Sequence, residues 1–268
     1  MVIRRTTLAS AALCAFLAIV AAAQMPFRTY EPMEGEDSES PLPPDYKKPA
    51  DFVLGRLIYP ARGFGGGAGM WTVDYPRGDR TFAAAIRRLT LVDVRSVEQP
   101  TSPDDGDDIY NWPYLHVGMP TRWNLSDAQA AKIREFLLRG GFMLCDSYFG
   151  TQEWEGFMVG MRKIFPDRQI VELADGDPMF HTVYDASQRY QIANFRSMLR
   201  NGHTYRGDGS HPYWRAIKDD KGRVMVAMTF NNDLGDSWQL ADDPRYPEKY
   251  SALGIRVGVD YVVYTLTH

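Results

Sequence analysis

Cysteine is scarce in this sequence: two in 268 residues, Cys14 and Cys145. Cys14 falls in an apolar leader, so the folded part holds one thiol and cannot close an internal disulfide. Stability must then come from a packed core, and a composition that is 44% hydrophobic supplies the material for one. Basic clusters are missing beyond the extreme N-terminus, and the formal net charge is -4. Nucleic-acid binding needs clustered Lys and Arg to displace counterions, so no nucleic-acid partner is expected. Metal-site spacings are missing as well. The five histidines show neither His-x-x-x-His nor His-Glu-x-x-His, and the aspartates of "PTSPDDGDD" lack the closing Glu of an EF-hand. No metal and no cofactor are expected. The glycines of "RGFGGGAGMW" are not followed by Lys-Ser/Thr, and no helix opens among them, so a phosphate loop is excluded and a mobile surface loop is expected.

What is present begins with a leader. "MVIRRTT" is a short basic region, "LASAALCAFLAIV" an apolar one, and "AAA" offers small residues for cleavage. Residues 1–23 read as a signal peptide, which predicts an exported protein, periplasmic or secreted. Membrane contact is expected only through this segment if it stays uncleaved. Losing Arg4 and Arg5 with it takes the formal charge from -4 to -6. Residues 24–50 are acidic, rich in Pro and poor in apolar side chains, and predict a disordered tether. Residues 51–268 predict a single α/β domain.

Within that domain, residues 52–60, "FVLGRLIYP", read as a strand ended by Pro60. Residues 80–90 predict a helix with Phe82, Ile86 and Leu89 on one face, followed by a strand at "LVDVRSV". "NLSDAQAAKIREFLLRGG" is the clearest helix. Ser126 and Gln129 have capping-box spacing, Ala130, Ile133, Phe136 and Leu137 form a stripe, and Gly140 and Gly141 end it. "FMLCD" is a continuous apolar strand of the kind buried on both faces of a parallel sheet. A helix at "EWEGFMVGMRKIFPD", strands at "QIVEL" and "GRVMVAMTF", and a C-terminal helix packing through Leu253, Val257, Tyr261 and Tyr264 complete the rhythm. The fold class is α/β: an open, mainly parallel sheet with helices on both faces.

Ligands of such sheets gather beyond the carboxyl ends of the strands. Asp146 and Ser147 leave the sheet there, and "NNDLGDSW" follows another strand. It places Asn232, Asp233, Asp236 and Trp238 on the same rim, as an Asx-rich turn. A buried carboxylate must be solvated, hydrogen-bonded or ligating, which makes Asp146 the leading candidate. Cys145 reads as a packed strand thiol, because no small residues or nearby base would activate it. The candidate acid–base partners of Asp146 are His181 in "DPMFHTVY" and His211 in "HTYRGDGSH".

In order along the chain, Arg56 and Tyr59 in "GRLIYP", then "YNWPYLHVG", "LRGGFMLCDSYFG", "GDPMFHTVYD", "GRVMVAMTFNNDLGDSW" and "LGIRVGVDYVVYTLTH" resemble the DUF4159 family of domains of unknown function. The resemblance implies a flavodoxin-like fold related to class I glutamine amidotransferases, and places Arg56 and Tyr59 with the ligand-side residues. The amidotransferase pattern of a Gly-flanked cysteine with a downstream His and Glu is not reproduced around Cys145. The expected function is therefore a non-catalytic module of the cell envelope that binds a small ligand or an envelope protein. The alternative is a hydrolase using Asp146 with His181 or His211, metal-assisted or not. Both expectations rest on Asp146 opening onto a solvent-reachable groove.

Overall fold

The structure, a computed structural model, describes residues 27–30, 41–63 and 70–268. The leader at 1–23, the centre of the acidic tether and the middle of the glycine loop lie outside the described residues. Among the described residues no helix is long and apolar enough to cross a membrane. The described parts of the 24–50 segment touch the domain at a few points, and most of residues 41–50 are exposed. Phe27 meets the ring of Tyr46 edge-on at 5.4 Å, Arg28 pairs with Asp105, and Tyr30 stands edge-on to Trp71 at 5.3 Å.

Seven strands form one sheet in the order β2-β1-β3-β4-β7-β6-β5. They are β1 (Leu54–Leu57), β2 (Gln99–Thr101), β3 (Tyr114–Gly118), β4 (Phe142–Asp146), β5 (Val171–Glu172), β6 (Arg215–Lys218) and β7 (Val224–Met228). β2, β1, β3, β4 and β7 run parallel, and β6 and β5 are added antiparallel at one edge. The expected α/β class and mainly parallel sheet are present. The chain leaves β1 towards β2 and leaves β3 towards β4, on opposite sides. The crevice above β1 and β3 is thus the switch point where such sheets bind ligands.

Two helical layers cover the sheet. α1 (Arg77–Leu89), α5 (Leu234–Gln239) and α6 (Glu248–Thr267) lie on one face; α2 (Asp127–Leu138) and α3 (Gly150–Ile164) lie on the other. A short helix, α4 (Phe195–Asn201), stands beyond the strand ends. α2 begins as the sequence predicts. Ser126 Oγ accepts from Gln129 N at 3.2 Å, and Gln129 Oε1 accepts from Ser126 N at 2.9 Å. Its whole predicted stripe is buried, as is that of α6. On α1, Phe82 and Ile86 are buried but Leu89 is exposed.

Three expectations fail locally. The predicted strand at 91–97 is irregular: Leu91 is fully exposed, and the side chain of Arg95 donates to the carbonyls of Val97 and Glu98, the groups a ladder would use. The strand shifts instead to Gln99–Thr101. "QIVEL" supplies only the two exposed residues of β5. "NNDLGDSW" is not a turn but the start of α5, for a reason that lies in the site.

Candidate functional site

Strand alternation builds the site. Arg56 pairs in register with His116, His116 with Leu144, and Gly118 with Asp146. Arg56, His116 and Asp146 therefore share a face with the apolar Leu54, Tyr114, Phe142 and Leu144 that precede them. Towards the carboxyl edge that face turns from hydrocarbon to charge. Arg56 Nε is 3.1 Å from Asp79 Oδ2 on α1, with both side chains fully buried. Arg56 also donates to Val73 O at 2.6 Å, and its Nη1 lies 3.0 Å from His116 Nδ1. Burial pushes His116 down to about 4, and the neighbouring Arg56 adds to this, so the imidazole is neutral at neutral pH.

Asp146 ends β4 with no exposed surface. Its Oδ1 accepts from Thr229 Oγ1 at 2.5 Å and from Leu234 N at 3.1 Å; its Oδ2 accepts from Gly235 N at 2.8 Å. The amides of α5 are thus held by a carboxylate from another strand. Asp233 caps the same helix, accepting from Asp236 N at 3.1 Å. Together these two carboxylates turn the Asx-rich run into a helix. Burial, then the neighbouring Asp233, raises Asp146 to about 6.

Ser147 follows at φ 63°, a left-handed conformation that is costly for a residue with a side chain. Its hydroxyl lies 2.6 Å from Asp233 Oδ1 and 3.1 Å from Asp146 Oδ2. Asn194 Nδ2 donates to Asp233 at 2.8 Å and Asp236 at 3.2 Å, and Phe195 N donates to Asp236 at 2.6 Å. Arg206 places Nη1 3.9 Å from Asp233, donates to Ser147 O at 2.9 Å and pairs with Glu153 at 2.8 Å.

Above this network lies a cleft of about 880 Å³. Val73 and Asp74, which precede α1, and Met119, which follows β3, line it at the switch point. Asp233 and Asp236 form its floor with Asp74, and α4 and the 201–207 segment form its wall. The three carboxylates offer oxygens within 4.8 Å of one another. Protein donors already address Asp233 and Asp236, however: a hydroxyl, a side-chain amide and two backbone amides. We read the trio as an acidic floor whose carboxylates are partly engaged by protein donors and keep acceptor capacity towards the cleft.

The predicted site residues divide. Asp146, Ser147, Asp233 and Asp236 come together at the strand ends, and the last two line the cleft. Asp146 does not open onto a groove; Ser147 and Asp233 separate it from the cleft, and it is sealed because its hydrogen bonds close α5 over it. Arg56 is locked in its ion pair, and Tyr59 donates to Gly118 O at 2.6 Å beneath the surface. Asn232 is buried, accepting from Ile192 N at 2.9 Å. Trp238 is core: it stacks on Phe82 at 4.0 Å and 5°. His181 is exposed beside Asp185 and the carbonyl of Asp175, and His211 is exposed against Tyr213. Neither has a hydrogen bond to Asp146 among those described, so the pairing expected for the hydrolase is not formed.

Sequence reasoning named Arg56 but missed its partners Asp79 and His116, and missed Asp74, Asn194 and Arg206. No signal in consecutive residues marked them, because each is placed by a neighbour distant in the chain.

Residues 54–266 match the family model described as a domain of unknown function, DUF4159. The match spans most of the chain, and the protein belongs to that family. No curated protein matches the chain.

Proposed function

We propose that this DUF4159 domain is an exported, non-catalytic binding module of the cell envelope whose ligand occupies the cleft above β1, β3 and β7. The observation that carries the reading is the cleft's charge layout. The floor is acidic at Asp74, Asp233 and Asp236, while exposed Arg196 and Arg200 stand along the wall, where Arg245 is paired with Asp243 at 2.6 Å. A floor of carboxylates accepts hydroxyl hydrogens, and guanidinium groups recognise anions. The ligand class that satisfies both is a small polyhydroxylated anion, such as a sugar acid or sugar phosphate. Phe195 and Tyr205 give the wall apolar faces for a ring. The leader-like segment at 1–23 is what supports export.

A thermal-shift panel on the purified chain tests this. Sugar acids and sugar phosphates are expected to raise Tm. A ligand at a hundredfold excess over its Kd adds about 2.7 kcal/mol. Neutral sugars of the same size are expected to act weakly, and Arg200→Ala to reduce the shift. Magnesium or calcium alone is expected to leave Tm unchanged. Equal shifts from neutral and anionic sugars, or none from either, would remove the anion-binding reading.

A further inference from the structure

The contacts of Ser147 do not balance with the protons a serine carries. Its oxygen lies within hydrogen-bonding distance of two buried carboxylates, Asp146 and Asp233, yet a hydroxyl donates once. The shorter contact, 2.6 Å to Asp233 Oδ1, takes that proton. The contact at 3.1 Å to Asp146 Oδ2 is left as two oxygens without a hydrogen unless Asp146 supplies one.

The surroundings of the two carboxylates differ. Asp233 has Arg206 Nη1 3.9 Å away. Among the described residues no ion pair reaches Asp146; besides Ser147 it is met by the Thr229 hydroxyl and two backbone amides. A fully buried carboxylate with a negative neighbour and no cation is more cheaply neutral than charged. We propose that Asp146, Ser147 and Asp233 store one exchangeable proton beneath the cleft, running from the Asp146 carboxyl through Ser147 to the cleft floor.

In the stored state Asp146 Oδ2–H donates to Ser147 Oγ, and Ser147 Oγ–H donates to Asp233 Oδ1. Transfer breaks the Asp146 O–H bond as a new O–H forms on Ser147. The original serine proton passes to Asp233 at the same time, so one proton moves and none is lost. The upward displacement of Asp146 to about 6 has the same origin. Other ionisable groups face this centre from each packed element. Asp236 and Asp74 lie on the cleft side, and Arg206 with Glu153 over Ser147. His116 with Arg56 and Asp79 comes from β3, β1 and α1, Tyr114 and Tyr261 from β3 and α6, Tyr246 from the segment before α6, and Cys145 and Tyr148 from β4 and the turn after it. His116 is depressed to about 4 and is already neutral where the store titrates.

The store serves the cleft and so rests on the cleft being the site, but the proton count does not. Infrared titration of the ligand-free chain reads the proton directly. A neutral carboxyl band protected from solvent is expected at pH 5, ionising near pH 6. Asp146→Asn is expected to remove the component that ionises near pH 6, and Glu98→Gln and Asp260→Asn, at the other buried carboxyls displaced upward, to leave it. Asp233→Asn imitates a ligand that neutralises the floor, and is expected to move the ionisation to lower pH. Ser147→Gly keeps the left-handed backbone and removes the acceptor, so the band is expected to shift to higher frequency. These two variants carry the test if Asp146→Asn does not fold. A chain without a titrating neutral carboxyl, or a band indifferent to Ser147→Gly and Asp233→Asn, overturns the store. Neither outcome touches the thermal-shift result for the cleft.

Discussion

The two faces of the sheet start alike and end differently. Under α2 and α3, the last residue that β1, β3, β4 and β7 each turn to that face, Leu57, Val117, Cys145 and Met228, is apolar. Under α1, α5 and α6 the same strands present Arg56, His116, Asp146 and, just beyond β7, Thr229. Cys145 and Asp146 are adjacent in sequence and on opposite sides of this division. The thiol is pushed well up by burial, with Asp146 adding to it, and is therefore an inert packing group. One face is a core throughout; the other is a core that becomes a site.

That contrast can be broken most forcefully at the charged end. Asp79→Ala leaves Arg56 buried without its partner and is expected to cost about 3–5 kcal/mol of stability, measured by urea unfolding. A cost below about 1 kcal/mol would mean that the pair is dispensable and the face less polar than its contacts suggest.

The next largest effect is on pH dependence. Asp146 is raised to about 6, so the unfolded chain ionises first and stability falls as pH rises from about 4 to 6. Glu98, pushed up by burial, adds the same sign. His116 is depressed to about 4, so the unfolded chain protonates first and stability rises as pH climbs from about 4 to 6.5. The two slopes oppose one another in the wild type. Asp146→Asn is expected to expose the rising slope and His116→Gln the falling one, each at most ~1.4 kcal/mol per pH unit. Identical profiles for both variants would refute the assignment.

The smallest effect belongs to the apolar face. Cys145→Ala removes one sulfur from a packed strand and is expected to cost about 1 kcal/mol, without altering the pH profile. A changed profile would show that the thiol communicates with Asp146 across the sheet.

Much of the fold was legible because it is local. The capping box of α2, its apolar stripe and the four-residue apolar run Phe142–Cys145 of β4 each state their structure within a few residues. β5 and β6 were harder, since an edge pairing is decided by what lies beside it. The site was legible in part. Asp146, Ser147, Asp233 and Asp236 were found because strand ends in parallel sheets gather ligands. Trp238 was misplaced because a short helix with buried caps looks, in sequence, like a polar turn. His116 was overlooked because one strand alone does not say which residue of its neighbour it faces.

The alternation of strands and helices, the isolation of Cys145 and the gathering of carboxylates at two strand ends can be read from consecutive residues. Periodicity and capping act over a single turn or strand, so they are written in consecutive residues. The sealing of Asp146, the place of Asp233 between it and the cleft, and the arrival of Asp74 and Arg206 beside them come from packing. Burial and electrostatic pairing depend on distances between segments tens of residues apart, and those distances exist only once the sheet has closed its layers.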